Sequence, residues 1–292
     1  MKRILVTGAG GLIGSGIAEY LKKVDKDIEI TGITSRKTNI ENMDHTIKTV
    51  LGEPLTIPKE RYDIIIHCAF DKKDKSNNVN TTGTIRWAKD ALQAGVKEQI
   101  FMSSISSQSK FLTPYGKSKK YLEEWFFNNN FHVFRLGLVI ANGGMLGRLI
   151  KSVNSSPVIP IIGGDKFPIF PTDPNTIYDL IYRIIIGEIK SEQNSGWNLQ
   201  FKEATSLKKI LTCLKKISGK KTFLIPLPYT LIYPIVKLAE LLKISGLEID
   251  TDNLKGLKRN SKISIRSDLS TLGYKERNLA EMIESWGRSL TS

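Results

Sequence analysis

The chain reads as an α/β protein built on a doubly wound parallel sheet, and three observations carry that reading. Short apolar runs alternate with helical patterns through the first two thirds of its 292 residues. A glycine-rich turn, VTGAGGLIG, joins the first apolar run to the first helical pattern. The runs themselves, YDIIIHCA above all, are apolar at consecutive positions, as strands covered on both faces require. Alternating βα units imply a parallel sheet with helices on both faces and right-handed crossovers.

Taken in order, RILVTG is a strand, LIGSGIAEYLKKV a helix and IEITGIT a second strand, with HTIKTVL as a candidate third. YDIIIHCA is a buried strand, NVNTTGTIRWAKDALQAG a long helix and VKEQIFMSS another strand. Pro114 opens the next helix, since proline suits the first helical position, and FHVFRLGLVI is expected to form one strand. From about residue 141 the chain is rich in Gly and Pro and reads as loops around a short helix. A helix over TIYDLIYRIIIGEI and a strand at GWNLQF follow, then helices near 206–217, 229–244 and 277–290. No internal repeat or low-complexity linker interrupts this pattern.

Composition narrows the function classes. The balance is 43 basic to 29 acidic residues, +14 overall. Such a charge suits a nucleic-acid binder or an enzyme for polyanionic small molecules. No basic stripe interleaved with aromatics accompanies it, so nucleic acid is not an expected partner. Cys68 and Cys213 stand far apart without zinc-type spacing, which argues against a disulfide framework or a metal site and for a reducing, cytoplasmic setting. MKRILVTG has too short an apolar run for a signal peptide. FLIPLPYTLIYPIVKLAELL (223–242), broken by three prolines and Lys237, reads as a buried loop plus an amphipathic helix, not a membrane span.

Gly8, Gly11 and Gly14 have the spacing of a turn that brings backbone N–H groups and a helix N-terminus to a diphosphate. With Leu12 and Ile13 they form the expected dinucleotide-binding turn. A free ribose 2′-hydroxyl would be met by an acidic residue at the end of the second strand. That place holds Thr34 and Ser35, then Arg36 and Lys37. Hydroxyls and cations suit a 2′-phosphate, so NADP is favoured with NAD as the alternative, and Arg36, with its planar fork, is the favoured contact.

The stretch SSISSQSKFLTPYGKSKK supplies the chemistry. Tyr115 and Lys119 lie one helical turn apart and share a face. A free phenol has a pKa of about 10, and a nearby ammonium together with an oxidised nicotinamide is expected to lower it. Tyr115 would then exchange a proton with a carbonyl or alcohol oxygen. A serine hydroxyl at the end of the preceding strand, from Ser103 or Ser104, would polarise the same oxygen.

TGAGGLIG, YDIIIHCAF, VNTTGT, MSS, PYGKSK, RLGLVIANG and SDLSTLGY together resemble the extended short-chain dehydrogenase/reductase family, the NAD-dependent epimerase/dehydratase group. The resemblance implies a Rossmann-type domain over 1–140, with 172–198 returning to it, and a smaller α/β substrate lobe over 141–171 and 199–292. It makes Ser104 the catalytic hydroxyl, Tyr115 the acid/base and Lys119 its partner and ribose contact. Ala69 and Phe70 would line the cofactor, Asn80 would brace the strands beside it, and His67 would be structural. Arg148 and Arg259 become candidates for gripping a nucleotide diphosphate, and pairing into a homodimer is expected. The pattern also departs from the family. Only ten residues separate Ser104 from Tyr115, and KFPIFPTDPNTIYDL keeps Asp173 or Asp179 but no arginine of the expected motif. The implied activity is reduction of a keto group or oxidation of a secondary alcohol on a nucleotide-activated deoxy sugar or another small carbonyl compound. The alternatives are a nucleotide-sugar epimerase with retained NAD and a non-catalytic NADP-binding regulator.

Overall fold

A computed structural model describes residues 1–36, 39–74, 76–110, 112–189, 196–241, 254 and 265–287. In chain order it begins with β1 (Arg3–Thr7), α1 (Leu12–Val24), β2 (Glu29–Thr34), β3 (His45–Lys48), β4 (Ile64–His67), α2 (Asn78–Gln93), β5 (Glu98–Ser104), α3 (Pro114–Asn128) and β6 (His132–Leu136). It continues with β7 (Leu138–Val139), α4 (Gly144–Ser155), β8 (Val158–Ile162), β9 (Pro168–Ile169), β10 (Pro171–Thr172), α5 (Pro174–Ile185) and β11 (Gly196–Asn198). The remaining described elements are β12 (Thr205–Ser206), α6 (Leu207–Ser218), β13 (Phe223–Leu227), α7 (Tyr229–Leu241) and α8 (Leu279–Gly287).

Two compact units share these elements. The first comprises Met1–Ser107, Pro114–Leu136 and Pro174–Leu199, and the second Gln108–Thr113, Gly137–Asp173 and Gln200–Ser292. The first unit holds a seven-stranded sheet in the order β11-β6-β5-β4-β1-β2-β3, with every pair parallel. This is the Rossmann-type doubly wound arrangement. The strand order reverses between β1 and β4, the switch point beyond whose carboxyl ends ligands bind in such sheets.

Burial explains the central strands. Ile4, Leu5 and Val6 of β1 and Ile65 and Ile66 of β4 are wholly inaccessible, so apolar side chains are needed on both faces. Leu5 and Ile65 pack with Trp87 and Ala91 of α2. Phe101 and Val133 pack with Leu122 and Phe126 of α3. Helix α1 packs against α5, where Tyr20 donates to Asp179 at 2.9 Å.

In the second unit β8 and β13 pair in parallel, while β7 with β10 and β9 with β12 make two-residue pairings. Two expectations are corrected here. FHVFRLGLVI is not one strand but two, divided at Gly137, because β6 pairs with β5 and β11 whereas β7 pairs with β10; a side chain at 137 would meet the Phe170 carbonyl oxygen at 2.0 Å. Residues 223–227 form a strand, not a buried loop, and Phe223 is 69% exposed. Between 141 and 171 the expected short helix is the twelve-residue α4, and short strands stand where loop was expected around it.

Candidate active site

The glycine turn follows from sterics. Gly8 adopts φ +64°, and a Cβ there would lie 2.8 Å from Ala69 N and Cα. A Cβ on Gly14 would lie 2.6 Å from the Gly8 carbonyl oxygen, which accepts the Gly11 N–H at 2.8 Å. Only glycine at these positions lets β1, the start of α1 and the chain beyond β4 approach so closely. Thr7 Oγ1 accepts the N–H groups of Cys68 and Ala69, each at 3.0 Å, and ties the two strand ends together. Helix α1 then begins at Leu12 and Ile13 with no side-chain cap and no acidic residue in its first turn. Its partial positive charge is therefore left for an anion, and the turn fits a dinucleotide diphosphate.

At the end of β2, Thr34 Oγ1 accepts the Arg36 N–H at 3.4 Å. Ser35 and Arg36 are exposed. Thr34, Ser35 and Arg36, none of them acidic, are the described residues at this strand end, and Lys37 lies outside the described residues.

Ser104 is the last residue of β5, and its Oγ accepts the N–H of Ser106 from a 3-10 turn at Ile105–Gln108. Tyr115 is the second residue of α3 and is hydrogen-bonded to Ser104 through their side chains. Lys119, one turn later, is 7% exposed and donates from Nζ to the Met102 carbonyl at 2.8 Å. Its ammonium lies 4.6 Å from the Phe101 ring centroid and 5.8 Å from that of Tyr115. The Phe70 ring stands edge-on to Tyr115 at 5.4 Å between centroids.

The electrostatics correct one expectation. Burial raises the Tyr115 pKa above the ordinary phenol value and outweighs the Ser104 hydrogen bond, which lowers it. The Lys119 ammonium meanwhile bonds to a carbonyl of β5 and lies against aromatic faces. Burial brings Lys119 itself down to about 8, opposed by Cys68 and Glu123. Burial pushes the Cys68 thiol up to about 12, opposed by Lys119. Cys68 and Cys213 are both free.

Asn80 braces the loop after β4: its Oδ1 accepts the Asp71 N–H at 2.7 Å and its Nδ2 donates to the Asp71 carbonyl at 2.9 Å. His67 is buried on β4 against Gln99 at 2.8 Å, and burial lowers its pKa to about 4, so it is neutral. Asp179 is engaged by Tyr20, and Asp173 lies 3.3 Å from Arg277 in the second unit. Arg148 is exposed on α4 of the second unit, and Arg259 lies outside the described residues. Among the described residues no cluster of His, Cys, Asp and Glu is arranged to hold a metal, and no helix is long and apolar enough to cross a membrane.

Sequence reasoning missed Glu123 and Arg135, a buried ion pair at 2.9 Å behind the serine turn. The available signal was spacing: Glu123 follows Lys119 by four residues, and Arg135 is the one charge in the apolar run FHVFRLGLVI.

The fold and the glycine turn define an α/β protein of the Rossmann type. Residues 4–130 match the model of the NAD dependent epimerase/dehydratase family. The chain is 29% identical over 119 residues to the UDP-glucose 4-epimerase of Vibrio cholerae, a match covering 36% of this chain and 35% of that protein. The match thus spans about a third of that relative's length. Among solved structures, gox2253 superposes with a TM-score of 0.74 at 17% identity over 99% of both chains. MoeE5, solved in complex with UDP-glucose and NAD, does so with a TM-score of 0.72 at 17% identity, over 99% of this chain and 100% of that one. At such identities these structures speak to the fold.

Proposed function

We propose that this protein is an NAD(P)-dependent oxidoreductase that reduces a keto group, or oxidises the corresponding alcohol, on a nucleotide-activated deoxy sugar. The observation that carries the reading is the hydrogen-bonded Ser104–Tyr115 pair with buried Lys119, at the end of β5 and the start of α3. The same unit holds the Gly8–Gly14 turn.

Bound nicotinamide supplies or accepts the hydride and, when oxidised, adds the positive charge that favours a phenolate. Burial keeps the Tyr115 proton in place at neutral pH, so the phenol is ready to donate it to a carbonyl oxygen that becomes an alcohol. Ser104 Oγ, oriented by the Ser106 N–H, donates to that oxygen and stabilises its developing charge. Lys119, anchored on Met102 with its ammonium 5.8 Å from the Tyr115 ring centroid, would be the contact for the cofactor ribose. Ser35 and Arg36 at the end of β2 favour NADP over NAD.

The nucleotide-sugar substrate is supported by the Vibrio epimerase likeness and by the UDP-glucose held by MoeE5. In this reading 141–171 and 199–292 form the substrate lobe, Arg148 and Arg259 contact the diphosphate, and the protein works as a homodimer. A second reading, an epimerase that retains NAD, draws on that same Vibrio relative, which is an epimerase.

The test is a panel of UDP- and dTDP-linked 4-keto sugars with NADPH in excess. Stoichiometric loss of NADPH absorbance supports the reductase. Interconversion of UDP-glucose and UDP-galactose by protein carrying its own cofactor supports the epimerase. Absence of binding to both NADPH and NADH by calorimetry overturns both.

A further inference from the structure

Glu123 lies two turns after Tyr115 and one turn after Lys119 on α3, and is only 2% exposed. A carboxylate withdrawn from water is tolerated when its charge and lone pairs are met, and three donors meet this one. Ser103 Oγ and Ser107 Oγ reach Oε1 at 2.5 and 2.6 Å. Arg135 Nε reaches Oε2 at 2.9 Å. The two hydroxyls bracket Ser104: Ser103 precedes it on β5 and Ser107 follows in the 3-10 turn. A single carboxylate oxygen therefore ties both sides of the Ser104 hydroxyl to the helix that carries the phenol and the ammonium. Ser107 has one proton for two acceptors, Oε1 and the Ser104 carbonyl at 2.8 Å, and the charged acceptor makes the stronger bond.

We propose that Glu123 is a positioning residue. Through Ser103 and Ser107 it fixes the Ser104 hydroxyl relative to Tyr115, and its charge helps hold Lys119 in the ammonium form. The inference rests on Ser104, Tyr115 and Lys119 being the reacting set. Lys119 faces the Met102 carbonyl and Phe101 ring from β5, Phe70 and Cys68 from the segment after β4, and Tyr115 and Glu123 on its own helix. With the Cys68 thiol held neutral, Glu123 is the anion in this group, and Arg135 faces it from β6.

Two variants of the full chain separate the tether from the charge. In the wild type, NADPH affinity measured by fluorescence is expected to weaken as pH rises through about 8, the value to which burial brings Lys119. Glu123→Gln removes the anion, so the limb moves to lower pH, by about one pH unit. The double variant Ser103→Ala/Ser107→Ala keeps the anion, so its limb stays in place. On the substrate the wild type turns over, its kcat falls about tenfold with KM unchanged, because the Ser104 hydroxyl is no longer held in register. A purely structural ion pair with Arg135 would leave the pH limb where it was. A Glu123→Gln limb that coincides with the wild type, or a double-serine variant with wild-type kcat, overturns the proposal. Should Glu123→Gln not fold, Glu123→Asp retains the charge and is expected to keep the wild-type limb; a displaced limb there also overturns it. Wild-type protein that binds neither NADPH nor NADH fails at the reacting set itself. Wild-type binding and turnover with an unmoved Glu123→Gln limb removes the role of Glu123 alone.

Discussion

The two units reach order by different routes. In the first, strands of three to seven residues join a seven-wide parallel ladder, and five of the seven have a neighbour on each side. Each of those is fixed twice in register, and its apolar side chains meet helices. In the second unit, β7, β9, β10 and β12 are two residues long. The β8–β13 pair carries Pro160 and Pro226 opposite Ile225 and Ile161, which a two-stranded ribbon tolerates because each strand has a free edge. The difference teaches where precision can be held. A hydrogen bond between Ser104 and Tyr115 needs a strand end and a helix start that cannot drift, and the wide sheet supplies both.

The sharpest way to break that comparison is to remove one oxygen. Tyr115→Phe keeps the ring against Phe70 but loses the proton, so kcat is expected to fall between about 10²- and 10⁴-fold, with cofactor affinity near wild type in a binding titration. In the second unit, Arg148→Ala is expected to raise KM about tenfold with kcat unchanged, since an exposed cation contributes binding common to ground and transition states. Wild-type kcat in Tyr115→Phe would show that the chemistry lies elsewhere.

Stability gives the next contrast. Phe126 is fully inaccessible among Phe101, Leu122 and Phe131. Its replacement by Ala is expected to cost about 3–5 kcal/mol in urea unfolding. Phe223 on β13 is 69% exposed, and Phe223→Ala is expected to stay within about 0.5 kcal/mol. Equal losses would mean that Phe223 is covered in solution.

What the sequence made legible follows the same division. Helix α1 runs over Leu12–Val24 as read, because a glycine turn starts it and LKKV closes an unbroken apolar stripe. Pro114 marks the start of α3 because its fixed φ suits only the first turn. The division of β6 from β7 was hidden because β7 pairs with β10, thirty-three residues further on. The 223–227 strand was hidden because its order comes from pairing with β8 and not from its own alternation. Within the site, Tyr115 and Lys119 were legible as a helical pair, but the sign of the phenol's shift was not. Spacing places two groups on one face without saying that Lys119 bonds to Met102.

His67 offers a smaller test of the wide sheet. Burial lowers its pKa from the ordinary 6.5 to about 4, so between those values the unfolded chain binds the extra proton and the folded chain does not. Stability is therefore lost as pH falls from about 6.5 towards 4 and changes no further through this group below that. The loss is roughly 3 kcal/mol at most. His67→Gln removes this dependence, and the difference between the two acid unfolding curves measures it.

A last expected effect concerns the end of β2, where Ser35 and Arg36 are exposed. Arg36 is exposed and its backbone N–H is held by Thr34 Oγ1 at 3.4 Å, so replacing its side chain should leave the fold untouched. A guanidinium that meets a 2′-phosphate contributes through charge-assisted bonds in a solvent-screened place. Arg36→Ala is accordingly expected to weaken NADPH about tenfold, or about 1.4 kcal/mol, with NADH unaffected. The NADPH loss should shrink as salt is raised. Equal weakening of both cofactors would assign Arg36 to the turn itself and return the choice between NADP and NAD to Ser35 and the backbone of β2.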